Sequence, residues 1–96
     1  MTDLKVAQKY VSLSNNASSR RLEFSLTLNH VKKLLTAKKC YFTDSVQRTV
    51  DRLDASKGYT VENTVACTLG FNQKKNNLTA EEIKMMYNAL KRKKLL

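Results

Sequence analysis

Residues 48–76 constrain the fold of this 96-residue chain more than any other part of the sequence. They contain two short runs of residues that favour β-strands, at 49–53 and 63–68. A turn lies between the runs, and its Gly58 is expected to adopt a positive φ. Two strands connected over this distance pair antiparallel. Residues 69–75 then predict a short helix, so the local product is a ββα unit.

The chain before this unit predicts two helices. Residues 3–12 form an amphipathic pattern, and the polar run SNNASS at 14–19 predicts a loop after it. The second helix is expected to begin after Ser25 or Thr27 as N-cap and to run to Lys38. The predicted apolar faces comprise Leu4, Ala7 and Val11 in the first helix, and Leu28, Val31, Leu34 and Leu35 in the second.

Residues 40–42, Cys-Tyr-Phe, favour a β conformation between these helices and the ββα unit. After the unit, Thr79 and Glu82 have the spacing of a capping box, which predicts a last helix. Its apolar face comprises Ile83, Met86, Tyr87 and Leu90, and a basic run follows. The sequence therefore predicts one α+β domain over residues 1–96, with a two-stranded antiparallel hairpin packed against surrounding helices.

The charge of the chain predicts a polyanionic partner. Lys and Arg number 18 against 8 Asp and Glu, which gives a formal net charge of +10. A protein with such a surplus gains affinity for nucleic acid by releasing counterions from phosphate. The first residues contain no apolar run of the length that a signal peptide or a membrane span needs. We therefore expect a cytoplasmic protein with no membrane partner.

The run DRLDASKGYTVENTVACTLGFNQKK at residues 51–75 resembles the HNH endonucleases, also called ββα-metal or His-Me finger enzymes, and especially their small phage-encoded members. The preceding FSLT, VKKLL and CYFT segments resemble the part of the chain that leads into that module. The resemblance covers residues 24–77. Residues 1–23, an N-terminal helix and loop, and residues 78–96, a C-terminal helix, are additions to this core.

The resemblance implies a metal site for divalent Mg²⁺ or Mn²⁺. Asp51 falls at the position of the metal-binding acid, and Asn72 falls at that of the second ligand, which the helix supplies. Both offer the hard oxygens that these ions prefer. Asn63 matches the middle Asn of the motif, which in the family fixes the loop between the strands. The implied activity is metal-dependent hydrolysis of DNA, in the bacterial host cytoplasm if the chain is phage-encoded.

Arg52 departs from the family pattern, because it occupies the position of the general-base histidine. Arginine stays protonated, so it cannot accept a proton from water, although it can hold a phosphate. Hydrolysis would then need another base. The candidates are His30, Asp54 and a metal-bound hydroxide.

Cys40 and Cys67 stand where some relatives have paired zinc-binding cysteines, but each position keeps a single thiol. We therefore expect no structural zinc, and we expect the two thiols to lie close together. Phosphate contacts are expected from the basic residues of the unit. These are Arg48, Arg52, Lys57, Lys74 and Lys75.

Three functions are compatible with these observations. The first is a metal-dependent DNA endonuclease. The second is a catalytically inactive module of the same fold that binds DNA, or alternatively RNA, in a salt-dependent way. The third is a small phage accessory protein that binds a host or phage protein through its outer helices.

Overall fold

The structure, a computed structural model, describes residues 2–43, 46 and 48–96. Its four helices and two strands confirm the predicted α+β class. Within the described residues, no helix combines the length and apolar character that crossing a bilayer requires. In chain order the elements are α1 (Asp3–Ser19), α2 (Leu28–Leu35), β1 (Thr49–Arg52), β2 (Thr64–Cys67), α3 (Leu69–Lys75) and α4 (Ala80–Arg92).

The two strands form the predicted antiparallel hairpin. Thr49 pairs with Cys67 at one end of the register, and Arg52 pairs with Thr64 at the other. α3 follows β2 directly, because the Thr68 hydroxyl accepts a hydrogen bond from the Phe71 N–H and caps the helix. Strand, strand and helix therefore follow one another as the pattern of residues predicts.

α1 is longer than the sequence pattern predicts, and it buries a different face. The loop prediction at residues 14–19 is wrong, since the helix continues to Ser19. Leu13 and Ala17 continue the helical spacing of Val6, and all three are buried. Packing of this stripe outweighs the weak helix propensity of Ser and Asn. The predicted face is the outer one, with Leu4 68% and Val11 54% exposed.

α1 ends through backbone hydrogen bonds rather than through a glycine. Arg21 adopts the left-handed conformation with φ 56°, and its N–H donates to the Ser18 carbonyl at 3.1 Å. The Leu22 N–H donates to the Ala17 carbonyl at 2.8 Å. This is a Schellman arrangement with arginine at the position that glycine usually holds. It turns the chain back towards the core.

α2 begins as predicted at Thr27, whose hydroxyl accepts from the His30 N–H at 3.1 Å. It ends at Leu35 rather than at Lys38. The Thr36 hydroxyl donates to the Lys32 carbonyl at 2.7 Å and closes the last turn. Residues 40–42 form no strand, although the Tyr41 N–H donates to the Ala66 carbonyl of β2 at 2.7 Å.

The core lies between α1, α2 and the inner face of the hairpin. The predicted positive φ of Gly58 is wrong, because no glycine in the chain has one. Glycine is required at this position because the backbone of Glu23 lies too close for a side chain. A Cβ atom on Gly58 would lie 2.3 Å from the carbonyl oxygen of Glu23. The neighbouring Tyr59 N–H donates to that same carbonyl at 2.8 Å. The buried cluster comprises Val6, Leu13, Ala17, Leu26, Val31, Leu35, Val50 and Tyr59.

The predicted capping box between Thr79 and Glu82 is present at the start of α4. Its N-terminus is attached to the ββα unit, since the Ala80 N–H donates to Asp54 Oδ1 at 3.1 Å. No residue of the helix is buried, however. The predicted apolar face of α4 is therefore exposed and not packed on the core.

Candidate functional site

A cavity of about 250 Å³ opens beside β1 and α3. Three of the predicted site residues, Asp51, Arg52 and Asn72, line it together. The hairpin supplies the first two, and α3 supplies the third from its middle. The sequence pattern did not single out most of its other polar lining residues, although Asn76 lies one turn after Asn72 and so shares its face. These other residues are Arg20, Tyr59, Gln73, Asn76 and Asn77.

Asp51 is a buried carboxylate with an incomplete set of partners. It is 4% exposed, and its Oδ2 atom has no hydrogen-bond partner among the described residues. The Lys75 ammonium lies 3.8 Å from Oδ2 and forms an ion pair with it. Burial raises the pKa of Asp51 above its usual value of 3.8, although the positive charges of Lys75 and Arg52 oppose that rise.

Lys75 does not occupy the phosphate-contacting position that we predicted. Its side chain is buried, and its Nζ donates to the Leu53 carbonyl at 3.1 Å while pairing with Asp51. A lysine with both interactions inside the fold is not available to a phosphate on the surface. The sequence does contain a signal for the inward orientation of Lys75. It lies three residues after Asn72, so the two side chains face the same side of α3.

Arg52 holds the loop between the strands. Its Nη1 atom donates to the Ala55 carbonyl at 2.8 Å and to the Lys57 carbonyl at 2.9 Å. The guanidinium also lies over the ring of Tyr59, with 5.4 Å from Cζ to the ring centroid. Both hydrogens of Nη1 are thus used within the fold, which leaves the Nη2 and Nε groups for the cavity.

Asn63, the residue before β2, closes the same loop from its other end. Its side-chain N–H groups donate to the carbonyls of Asp54 at 3.1 Å and Gly58 at 2.8 Å. Its Oδ1 atom accepts from the Asp54 N–H at 2.9 Å. Three loop groups are satisfied by one buried amide, which is the loop-fixing arrangement that the resemblance implies for this position.

The two side chains proposed as general bases, Asp54 and His30, do not line the cavity that holds Asp51 and Asn72. The Asp54 carboxylate accepts from the Ser56 hydroxyl at 2.7 Å, from the Ser56 N–H and from the Ala80 N–H. These hydrogen bonds lower the pKa of Asp54 to about 2, so it is a weak base. His30 lines a different cavity, where its Nε2 lies 3.4 Å from the Thr64 hydroxyl.

The other basic residues predicted to contact phosphate differ in their surroundings. Arg48 caps the C-terminal end of α2, donating from Nε to the Leu35 carbonyl at 3.1 Å and from Nη1 to the Lys38 carbonyl at 3.3 Å. These hydrogen bonds hold two of the three guanidinium nitrogens of Arg48 within the fold. Lys57 and Lys74 are exposed. These two lysines keep the surface position that the prediction requires.

Cys40 and Cys67 are both buried, and the N–H of Thr68, the residue after Cys67, donates to Cys40 Sγ at 3.2 Å. Burial alone would raise the pKa of Cys40, but hydrogen bonds from Thr43, Phe42 and Thr68 outweigh it and lower that pKa to about 6. Burial and the neighbouring Cys40 raise the pKa of Cys67 to about 12. The two thiols thus lie together as expected.

The residues of the cavity do not fit a resident divalent cation. No group of three or more His, Cys, Asp or Glu side chains in the described part of the chain is arranged to hold a metal. Asp51 and Asn72 offer one carboxylate and one amide. The ammonium of Lys75 lies 3.8 Å from the carboxylate oxygen, where a bound cation would meet like-charge repulsion.

The chain matches no protein-family model, no curated protein and no solved structure.

Proposed function

We propose that this chain binds nucleic acid through contacts with phosphate, and that its ββα unit is an inactive member of the HNH-like type. The ion pair between Asp51 and Lys75 carries the proposal. In this pair an internal ammonium supplies the positive charge that a metal would otherwise bring to the carboxylate. The unit then needs no cation to be complete.

Charge supports the binding half of the proposal. The chain has a formal net charge of +10, yet only two ion pairs join described residues. One is the buried pair with Lys75, and the other joins Lys32 to Asp3 at 3.1 Å. Exposed cations such as Lys57 and Lys74 lie on the surface where phosphate can reach them, and Arg20 and Arg52 line the cavity itself.

The absence of a suitable base supports the inactive half. Arg52 stays protonated at the histidine position, and it is hydrogen-bonded to the loop. Asp54 is too acidic to accept a proton readily, and His30 lines another cavity. The carboxylate that does line the cavity, Asp51, is paired with the Lys75 ammonium.

The binding experiment is a titration of a short fluorescent DNA duplex with the protein at several salt concentrations. We expect a plot of log Kd against log salt whose slope corresponds to about three or more phosphate contacts. A shorter and a mixed-sequence duplex serve as controls, because phosphate contacts carry no sequence information. Affinity that does not change with salt would remove the proposal.

A second candidate function is metal-dependent hydrolysis of DNA. One observation favours it: Asp51 and Asn72 line the same cavity, and Asp51 Oδ2 is buried without a hydrogen bond among the described residues. Hydrolysis would require the Lys75 ammonium to move away from that oxygen.

Supercoiled plasmid distinguishes the two candidates. The protein is incubated with Mg²⁺ or Mn²⁺, and nicked and linear products are measured for the wild type, Asp51→Ala and Arg52→His. We expect no cutting by the wild type. Cutting that Asp51→Ala abolishes would establish the second candidate. Cutting gained only by Arg52→His would identify Arg52 as the residue that makes the site inactive.

A further inference from the structure

The cavity that His30 lines is formed by α2 and β2, and it shares no lining residue with the cavity of Asp51. Its volume is about 220 Å³. Pockets for whole small molecules are typically about 300–1,000 Å³, so this one suits a smaller group, such as a single flat ring system. Much of its lining is apolar and comprises Leu34, Ala37, Val65 and Ala66.

Tyr41 lines this cavity with a side chain that is 69% exposed. Its N–H donates to the Ala66 carbonyl at 2.7 Å, which fixes its backbone against β2. Its ring makes an edge contact with the ring of Phe42, with centroids 5.4 Å apart and planes at 84°. A contact of this geometry uses at most one face of the tyrosine ring. Tyr41 therefore has an aromatic face available to a stacking partner.

Phe42 is in turn held by α3. Its ring stacks on the ring of Phe71, with centroids 4.6 Å apart and planes at 20°. Tyr41 thus lies at the outer end of a row of three rings that begins on a capped helix. Such support reduces the conformational freedom that Tyr41 would lose when a ligand stacks on it.

Cations line the same cavity as Tyr41. They are Lys33, from the last turn of α2, and Lys39, and both are exposed. Lys33 forms no ion pair with a described residue. Among the described residues, no carboxylate lines the cavity. Its charge is therefore complementary to an anion, while its ring and apolar lining are complementary to a flat aromatic group.

We infer that this cavity binds an unpaired base of single-stranded nucleic acid, with the base stacked on Tyr41 and a neighbouring phosphate beside Lys33. The inference rests on the proposed nucleic-acid-binding function and names the form of nucleic acid that is bound. Bases within a duplex are paired and stacked on their neighbours, so an exposed ring reaches only a base outside the duplex stack. Stacking on aromatic side chains beside cations is tolerant of sequence, because every base has an aromatic face.

Fluorescence anisotropy compares an oligothymidine of about 15 nucleotides with a blunt duplex of the same length. Tyr41→Ala is expected to raise the Kd for oligothymidine about tenfold and to change the Kd for the duplex less than about twofold. Tyr41→Phe keeps the ring and is expected to stay within about twofold of the wild type on both. Tyr87→Ala is the matched control, because Tyr87 is 50% exposed but lies on α4.

Oligouridine of the same length is measured in parallel. A rise in Kd with either strand in Tyr41→Ala supports the site, and the strand with the larger rise identifies the sugar that the site prefers. Equal effects of Tyr41→Ala on single strand and duplex would overturn the inference. An equal effect of Tyr87→Ala on the single strand would do the same.

Photochemical crosslinking locates the bound base. An oligonucleotide that carries iododeoxyuridine is irradiated in complex with the protein, and the modified residue is identified by mass spectrometry. We expect the crosslink at Tyr41. A crosslink at Tyr59, which lines the cavity of Asp51, would place the base there and overturn the inference.

The duplex titration tests the proposed function separately. Salt-dependent duplex binding that persists in every variant supports that function, even where the role of Tyr41 fails. A wild-type protein with no affinity for single strand or duplex would remove both the proposed function and this site.

Discussion

The ammonium of Lys75 lies 3.8 Å from Asp51 Oδ2, and both side chains are buried. The pair joins α3 to β1, so it also links the helix of the ββα unit to its hairpin. Nζ has a second partner in the Leu53 carbonyl at 3.1 Å. Lys75 is therefore held inside the fold, and its charge compensates the buried carboxylate of Asp51.

Removal of the lysine charge is expected to destabilise the fold strongly. Lys75→Met leaves a buried carboxylate without its partner, which lowers the free energy of unfolding by about 3–5 kcal/mol at neutral pH. Lys74→Met is the control, because Lys74 is exposed. Urea unfolding measures both. The double variant Asp51→Asn with Lys75→Met is expected to recover at least part of the loss, and a Lys75→Met protein as stable as the control would contradict the role of the pair.

The two glycines are expected to respond to alanine in opposite directions. At Gly58 the new Cβ would lie 2.3 Å from the Glu23 carbonyl oxygen, so Gly58→Ala is expected to cost about 2 kcal/mol or more. Gly70 lies in α3 with no atom within 4 Å of such a Cβ. Gly70→Ala is therefore expected to stabilise by about 0.5 kcal/mol. Thermal unfolding of the two variants gives the comparison, and a shift of the same sign in both would be inconsistent with the close approach at Gly58.

Asp54 is expected to make stability depend on pH in the acid range. Its folded pKa of about 2 lies below the ordinary 3.8, so its contribution is present above 3.8 and is lost as the pH falls towards 2. Asp54→Asn removes the charge. Its unfolding temperature is expected to lie below that of the wild type near pH 6, and the difference is expected to shrink as the pH falls below 3.8. A difference that stays constant with pH would exclude the charge of Asp54 as its cause.

Sequence pattern predicts the ββα unit well because its signals are local. Two β-favouring runs with a turn between them specify the hairpin, and the residues that follow specify α3. Asp51 and Asn72 meet in one cavity because the hairpin and α3 are consecutive. The convergence follows from the order of the elements.

Burial, by contrast, depends on contacts between elements that are distant in sequence. α1 has two candidate stripes, and the one containing Val6 packs against α2 because the tertiary fold selects it. The same limit applies to charge, since Lys74 and Lys75 are adjacent lysines of which only the second is buried. A surplus of positive charge in the sequence cannot distinguish the two.

Lys74 and Arg48 are expected to separate nucleic-acid binding from stability. Lys74 is exposed, so Lys74→Gln is expected to reduce the salt slope of DNA binding by about one contact with little loss of stability. Arg48 is hydrogen-bonded to α2, so Arg48→Gln is expected to leave the slope unchanged and to cost about 1–2 kcal/mol of stability. The salt titration and urea unfolding of each variant provide the readouts. A salt slope that falls in Arg48→Gln but not in Lys74→Gln would show that Arg48, and not Lys74, contacts phosphate.

The most direct measurement is the DNA affinity of the wild-type protein with and without a divalent cation, at matched ionic strength. Fluorescence anisotropy in EDTA is compared with anisotropy in Mg²⁺ and in Mn²⁺. Because Lys75 already neutralises Asp51, we expect the three Kd values to agree within about twofold. Binding that appears only with the divalent cation, and disappears in Asp51→Ala, would contradict a metal-independent role for the ββα unit.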